Sequence, residues 1–230
     1  MQKSSAREVW FIRHAESVAN AGGRTREAPS YPLTELGFRQ AEQLAGSLAA
    51  EPDLIVVSPY VRARQTAEFS MRRFPKVQSE EWPVQEVQYL DPALCVDTTQ
   101  DERGVLSDAY WERCDPHFAA PNAESFAGFI ARIADSLHRL SLRDERTTFV
   151  FCHGRVMDAI AWLSLSPPAI VDAGAMRRFF HFFHGFTVPN CSVLPLHFHP
   201  DGRRSLGTLR VPSGVEAEAV GRNRPGQEGV

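Results

Sequence analysis

An α/β fold is predicted: three layers, α/β/α, around a mostly parallel central sheet. Three observations predict it. Short apolar runs at Val9–Ile12 (VWFI), Leu54–Val57 (LIVV) and Thr147–Cys152 (TTFVFC) read as strands buried on both faces. Stretches with a helical apolar period separate them. Each run ends in charged or reactive residues: Arg13-His14, Ser58 leading to Arg62, and His153. Ligands of such sheets sit outside the carboxyl ends of the strands, so the fold offers one crevice for all three groups.

The elements follow in order. After the first strand, residues 21–32 hold Gly, Arg and Pro and read as a loop. Thr34 can cap a helix with Ala41, Leu44, Ala45 and Leu48 on one face, closed by Pro52. Ser58-Pro59 leads into a helix carrying Ala63, Thr66 and Ala67. Residues 77–87 are extended, and Pro83 argues against a central strand. Polar residues with Pro92, Pro116 and Pro121 make 88–123 a peripheral insertion or cap. Ser125 or Asn122 can start the most strongly periodic helix, through Phe126, Phe129, Ile130, Ile133, Leu137 and Leu140. A helix through Met157, Ile160 and Ala161 follows His153-Gly154 and stops before Pro167-Pro168. Phe179–Phe186 is an aromatic run suited to core packing, a substrate-side lid or an oligomer contact. Asp201-Gly202 signals a hairpin between 191–199 and 205–211. Residues 1–211 are expected to form one domain and 212–230 a disordered tail.

Composition narrows the function. The 230 residues are 43% apolar and 23% charged, with net charge −3, so no global basic field points to nucleic acid. No apolar run is long enough for a membrane span, and no signal-peptide pattern opens the chain. Cys95, Cys114, Cys152 and Cys191 form neither a C-x-x-C pair nor a disulfide framework, which suggests a reduced, cytoplasmic protein. His181-x-x-His184 and His197-x-His199 lack a completing ligand, so no metal and no cofactor is expected.

The strand-end residues suit phosphoryl transfer. That reaction needs a nucleophile in line with phosphorus, donors for the non-bridging oxygens and an acid for the leaving alkoxide. Neutral imidazole can attack near pH 7, and guanidinium forks match phosphate oxygens.

The segment FIRHAESVAN (Phe11–Asn20) resembles the signature of the histidine phosphatase superfamily, also called phosphoglycerate mutase-like. Further matches follow in that family's order: Leu33-Thr34-x-x-Gly37-x-x-Gln40-Ala41; Ser58-Pro59-x-x-Arg62-Ala63-x-Gln65-Thr66-Ala67; Glu124-Ser125 with Phe129 and Arg132; Cys152-His153-Gly154; and Asn190-Cys191-Ser192-Val193 as the sheet-closing strand. The resemblance implies that His14 is phosphorylated, that Arg13, Arg62 and His153 clamp the phosphoryl oxygens, and that Asn20 lies near the phosphate. It also implies Glu86 as proton donor, with Glu80 and Glu81 as nearby competitors. The implied activity is a metal-independent phosphomonoesterase of the broad histidine phosphatase type, acting on a small phosphorylated substrate or a phosphoprotein. The short span from Glu86 to His153 favours a phosphatase over a mutase; a silent phosphate-binding module is the remaining alternative. Many members carry a second Gly after His-Gly, where this chain has Arg155. An arginine there could select a second anionic group or point to solvent.

Overall fold

The computed structural model describes residues 6–25 and 27–216. Among these, six strands form one mixed sheet: β1 (Arg7–Arg13), β2 (Leu54–Val57), β3 (Gln78–Glu81), β4 (Thr147–Cys152), β5 (Val193–Phe198) and β6 (Arg204–Leu206), in the order β3-β2-β4-β1-β5-β6. β1, β2, β3 and β4 run parallel; β5 is antiparallel to β1, and β6 to β5. The fold is the expected α/β architecture, and Pro83 lies just beyond the edge strand β3.

The continuous apolar runs serve two cores. Trp10, Ile12, Phe149 and Phe151 face α1 (Glu35–Ser47) and α2 (Val61–Arg73). Val9, Phe11, Val150 and Cys152 face α4 (Phe126–Leu142), α5 (Gly154–Leu165) and α6 (Ala173–Gly185). Period-two alternation thus splits each run between two faces, and both are covered.

Caps set the helix starts. Thr34 accepts from the Gly37 amide and Ser125 from the Gly128 amide. Gly37 is required by packing: a Cβ there would lie 2.0 Å from the Glu16 carbonyl oxygen. That close approach seats the start of α1 on the segment after His14.

Two helices lie where none was expected. α3 (Gly104–Arg113) sits inside the insertion, and the Phe-rich run is the second half of α6. Trp111 of α3 touches the rings of Tyr89, Phe126, Phe179, Phe180 and Phe183, so the insertion docks on α4 and α6 through aromatic contacts. The Asp201-Gly202 hairpin forms, with Gly202 at φ 83°, and joins β5 to the short β6. The sheet-closing strand starts at Val193, because Cys191 takes a left-handed φ of 60°. Residues 212–216, expected in a disordered tail, bond back to α1: the Glu216 amide donates to Gln43 Oε1, and its carboxylate pairs with Arg39. The rest of that tail, 217–230, lies outside the described residues. None of the described helices is long and apolar enough to cross a membrane.

Candidate active site

Strand register assembles the crevice. Arg13 pairs with Cys152 and Val57 with Phe151, so β1, β2 and β4 end at one level. The next residues, His14, Ser58 and His153, are locked there: the His14 amide donates to Cys152 O at 3.0 Å and the Ser58 amide to Phe151 O at 3.0 Å. Residues far apart in sequence meet because three strands end together.

His14 is 3% exposed, and its ring is held at both nitrogens. Nδ1 lies 2.7 Å from the Ala15 carbonyl oxygen, and Arg62 Nε lies 3.0 Å from Nε2. A carbonyl only accepts and a guanidinium N–H only donates. Nδ1 therefore carries the proton, and the lone pair on Nε2 faces the crevice cation. Burial, then Arg62 and Arg13, hold His14 well below the ordinary histidine value, so the ring is neutral.

Arg62 is buried at the start of α2 and donates to Ala28 O at 2.8 Å. Its guanidinium also lies over Tyr60, 4.9 Å from the ring centroid, and near Tyr31 at 5.6 Å. Burial lowers Arg62 to about 10, with Glu86 the strongest opposing charge, so it stays a cation at neutral pH. His153 packs edge-on to His14, with centroids 5.1 Å apart. Its Nε2 lies 2.7 Å from Ser58 Oγ, while the buried Nδ1 has no hydrogen-bond partner among the described residues. Burial first, then Arg62, keep its ring neutral too. Arg13 donates to the Val188 carbonyl, and its Nε is the nearest side-chain atom to Gly154.

The crevice thus gathers two arginines and two neutral histidines. The model of the histidine phosphatase superfamily (branch 1) covers residues 9–208. The chain belongs to that superfamily. Relatives within reach by sequence are phosphatases by name. The adenosylcobalamin/alpha-ribazole phosphatase of Salmonella typhi is 26% identical over 163 residues, spanning 70% of this chain and 81% of the relative. The Escherichia coli counterpart is 26% identical over 169 residues, spanning 70% and 80%. Solved structures share the fold. A mycobacterial glucosyl-3-phosphoglycerate phosphatase matches at TM-score 0.68 and 22% identity, over 91% of this chain and all of that one. A phosphoserine phosphatase from Entamoeba histolytica, holding phosphoserine, matches at 0.68 and 20%, over 88% and 96%.

The other predicted residues of this histidine phosphatase fold lie farther out. Glu86 follows β3 and reaches the start of α5: its carboxylate accepts from the Arg155 amide at 3.2 Å and the Val87 amide at 3.1 Å. Glu80 instead joins Trp82, Arg139 and Arg143, and Glu81 pairs with Arg64. Both competitors are tied elsewhere. Asn20 Oδ1 accepts from the Ser17 hydroxyl at 2.9 Å, the Ser17 amide at 3.2 Å and Asn190 Nδ2 at 3.4 Å, so this side chain shapes its own loop and joins it to the residue that binds the His14 carbonyl. It also lines an open cleft with Gly22, Thr99 and Gln100 of the insertion. Cys152 is a buried thiol pushed up by desolvation.

Three supporting residues had no assigned role from sequence. Thr66 Oγ1 accepts from the Ala15 amide at 3.0 Å and donates to Arg62 O at 2.7 Å, joining nucleophile loop to clamp helix. Asn190 Nδ2 donates to His14 O at 2.8 Å. Ser58 holds His153. The i, i+4 spacing of Arg62 and Thr66 was a visible signal; the pairing of Asn190 with His14 had none.

Proposed function

We propose that this protein is a metal-independent phosphomonoesterase that forms a phosphohistidine on His14 Nε2. The observation that carries the reading is the fixed tautomer of His14: a neutral ring with its lone pair on Nε2, beside a buried guanidinium. Arg62 releases that lone pair as its N–H groups turn to a phosphoryl oxygen. Nε2 then attacks phosphorus, the bond to the leaving oxygen breaks, and Glu86 gives that oxygen a proton. Water next attacks phosphorus and gives a proton to Glu86, the P–Nε2 bond breaks with its electron pair returning to the ring, and inorganic phosphate leaves with His14 restored. Arg13, Arg62 and His153 oppose the phosphoryl charge, and the Ser58 hydroxyl, donating to His153 Nε2, leaves Nδ1–H for a phosphoryl oxygen. With two fixed cations and an imidazole donor, the site has the charge such a transfer needs without a metal.

The named activities of the relatives support a phosphatase over a mutase. The reading takes a small phosphorylated substrate or a phosphoprotein as the ligand. Four free thiols support a reducing, cytoplasmic setting. The test is hydrolysis of p-nitrophenyl phosphate in excess EDTA by the wild type and His14→Ala. We expect wild-type activity to survive EDTA and the variant to lose on the order of 10³-fold or more. A variant as active as wild type would sink the phosphohistidine; activity removed by EDTA would sink the metal-free step.

A further inference from the structure

Arg155 stands at the second position of α5, next to the crevice, and has no part in the chemistry above beyond its backbone amide. Its side chain is unusually well held. Nη1 donates to Asp158 Oδ2 at 2.8 Å, one turn along α5. The guanidinium carbon lies 3.7 Å from the centroid of Phe183, in contact over the ring face. The two partners are buried, with the Asp158 side chain 1% exposed, while Arg155 is 39% exposed. A charge and a ring thus hold a guanidinium whose side chain stays partly exposed.

A routine surface ion pair would have a different form. Such pairs join two mobile, hydrated groups. Here the acid is buried, and its Oδ1 has no hydrogen-bond partner among the described residues. Burying a carboxylate with one partner is destabilising, and burial raises the Asp158 carboxyl to about 7. An arrangement of this kind disposes a guanidinium for a ligand, as outer-layer carboxylates orient functional groups elsewhere. Nε and Nη2 of Arg155 have no partner among the described residues, leaving N–H donors on this partly exposed side chain.

Location agrees. The Arg155 amide donates to Glu86, the proposed acid, which must face the leaving oxygen. Phe183 lies on the segment that leads to Val188, whose carbonyl receives Arg13. Arg155 therefore lies on the rim beside the proposed acid, which must itself face the alcohol side of a substrate.

We propose that Arg155 is a specificity-determining residue that receives a second anionic group, a carboxylate or a further phosphate, on the alcohol side of the phosphomonoester. Asp158 and Phe183 are its positioning residues. The proposal rests on the reading that the phosphoryl group sits at His14, and its test separates the two. Two non-hydrolysable analogues, benzylphosphonate and 4-carboxybenzylphosphonate, are titrated calorimetrically into the full chain. The proteins are wild type, Arg155→Met, Arg155→Lys and the double variant Arg155→Met with Asp158→Asn, which leaves no stranded carboxylate.

Wild type is expected to prefer the carboxylated analogue by about tenfold or more, as a charge-assisted bidentate contact allows. Both Met-containing variants lose that preference, and Lys keeps part of it. A preference equal in wild type and the double variant overturns the proposal. So does a wild type that binds the carboxylated analogue no better than the plain one, or not at all. A wild type that shows the Arg155-dependent preference yet hydrolyses no phosphomonoester leaves this inference standing and removes the catalytic reading instead.

Discussion

The floor of the crevice and its rim are built on different physics. Floor residues His14, Ser58, Arg62, Thr66 and His153 are all buried and tied by hydrogen bonds to strand ends or to one another. The rim, made by residues 83–118 and α6, is held by ring contacts around Trp111 and by exposed pairs such as Arg24–Glu102. Val105 and Leu94, both in the insertion, are largely open to solvent. Directional hydrogen bonds at the strand ends fix atoms closely; ring contacts tolerate several geometries. In the proposed reading, chemistry that is the same for every phosphomonoester sits on the floor, and recognition of what the phosphate is attached to falls to the rim.

That division can be broken most sharply at Glu86, which belongs to both regions. Glu86→Gln is expected to cost ~10²-fold in kcat/KM for an alkyl phosphate and less than ~10-fold for p-nitrophenyl phosphate, whose phenolate leaves without a proton. Equal losses on the two substrates would remove Glu86 as the acid.

Acid pH tests the floor alone. A histidine with an ordinary value near 6.5 would lose about fivefold in neutral nucleophile from pH 6.5 to 5.5. His14 is lowered, so kcat/KM for p-nitrophenyl phosphate is expected to stay within about threefold from pH 6.5 to 5.5, once the ionisation of the substrate is corrected for. A drop of about fivefold or more across that unit would show an unperturbed ring. The same burial has a stability signature. Below about pH 6.5 the unfolded chain protonates these two histidines while the folded chain does not, so their effect is to lower stability as pH falls through that value.

The rim responds in stability more than in turnover. Trp111→Ala removes the ring that joins α3 to α4 and α6, at a cost of about 3 kcal/mol. For a chain of this size that lowers Tm by about 6–12 °C. Turnover of p-nitrophenyl phosphate, which has little alcohol side to recognise, should change by less than about threefold. An unchanged Tm in a calorimetric scan would mean that α3 is not docked through this ring.

Much of the floor was legible because its signals are local. Val9–Ile12, Leu54–Val57 and Thr147–Cys152 each carry their strand character within a few residues, and the following His14, Ser58 and His153 are contiguous with them. Thr34 and Ser125 announce their helices by capping chemistry. α6 could have been found the same way: Asp172 caps it at Ala175, and Ala175, Met176, Phe179 and Phe183 share one buried face. α3 offered no such signal, since it has no capping side chain and buries only Tyr110.

By itself, then, the sequence determined the α/β class, the order of the main elements and the residue types at the strand ends. Periodicity, caps and strand-end chemistry act over a few residues and need no partner. Only the tertiary structure decided that Glu86 meets the start of α5, that Asn20 bonds to its own loop, that Asn190 holds the His14 backbone, and that Arg155 lies between Asp158 and Phe183. Most of those contacts close long loops, and the rest are choices among rotamers that packing alone selects.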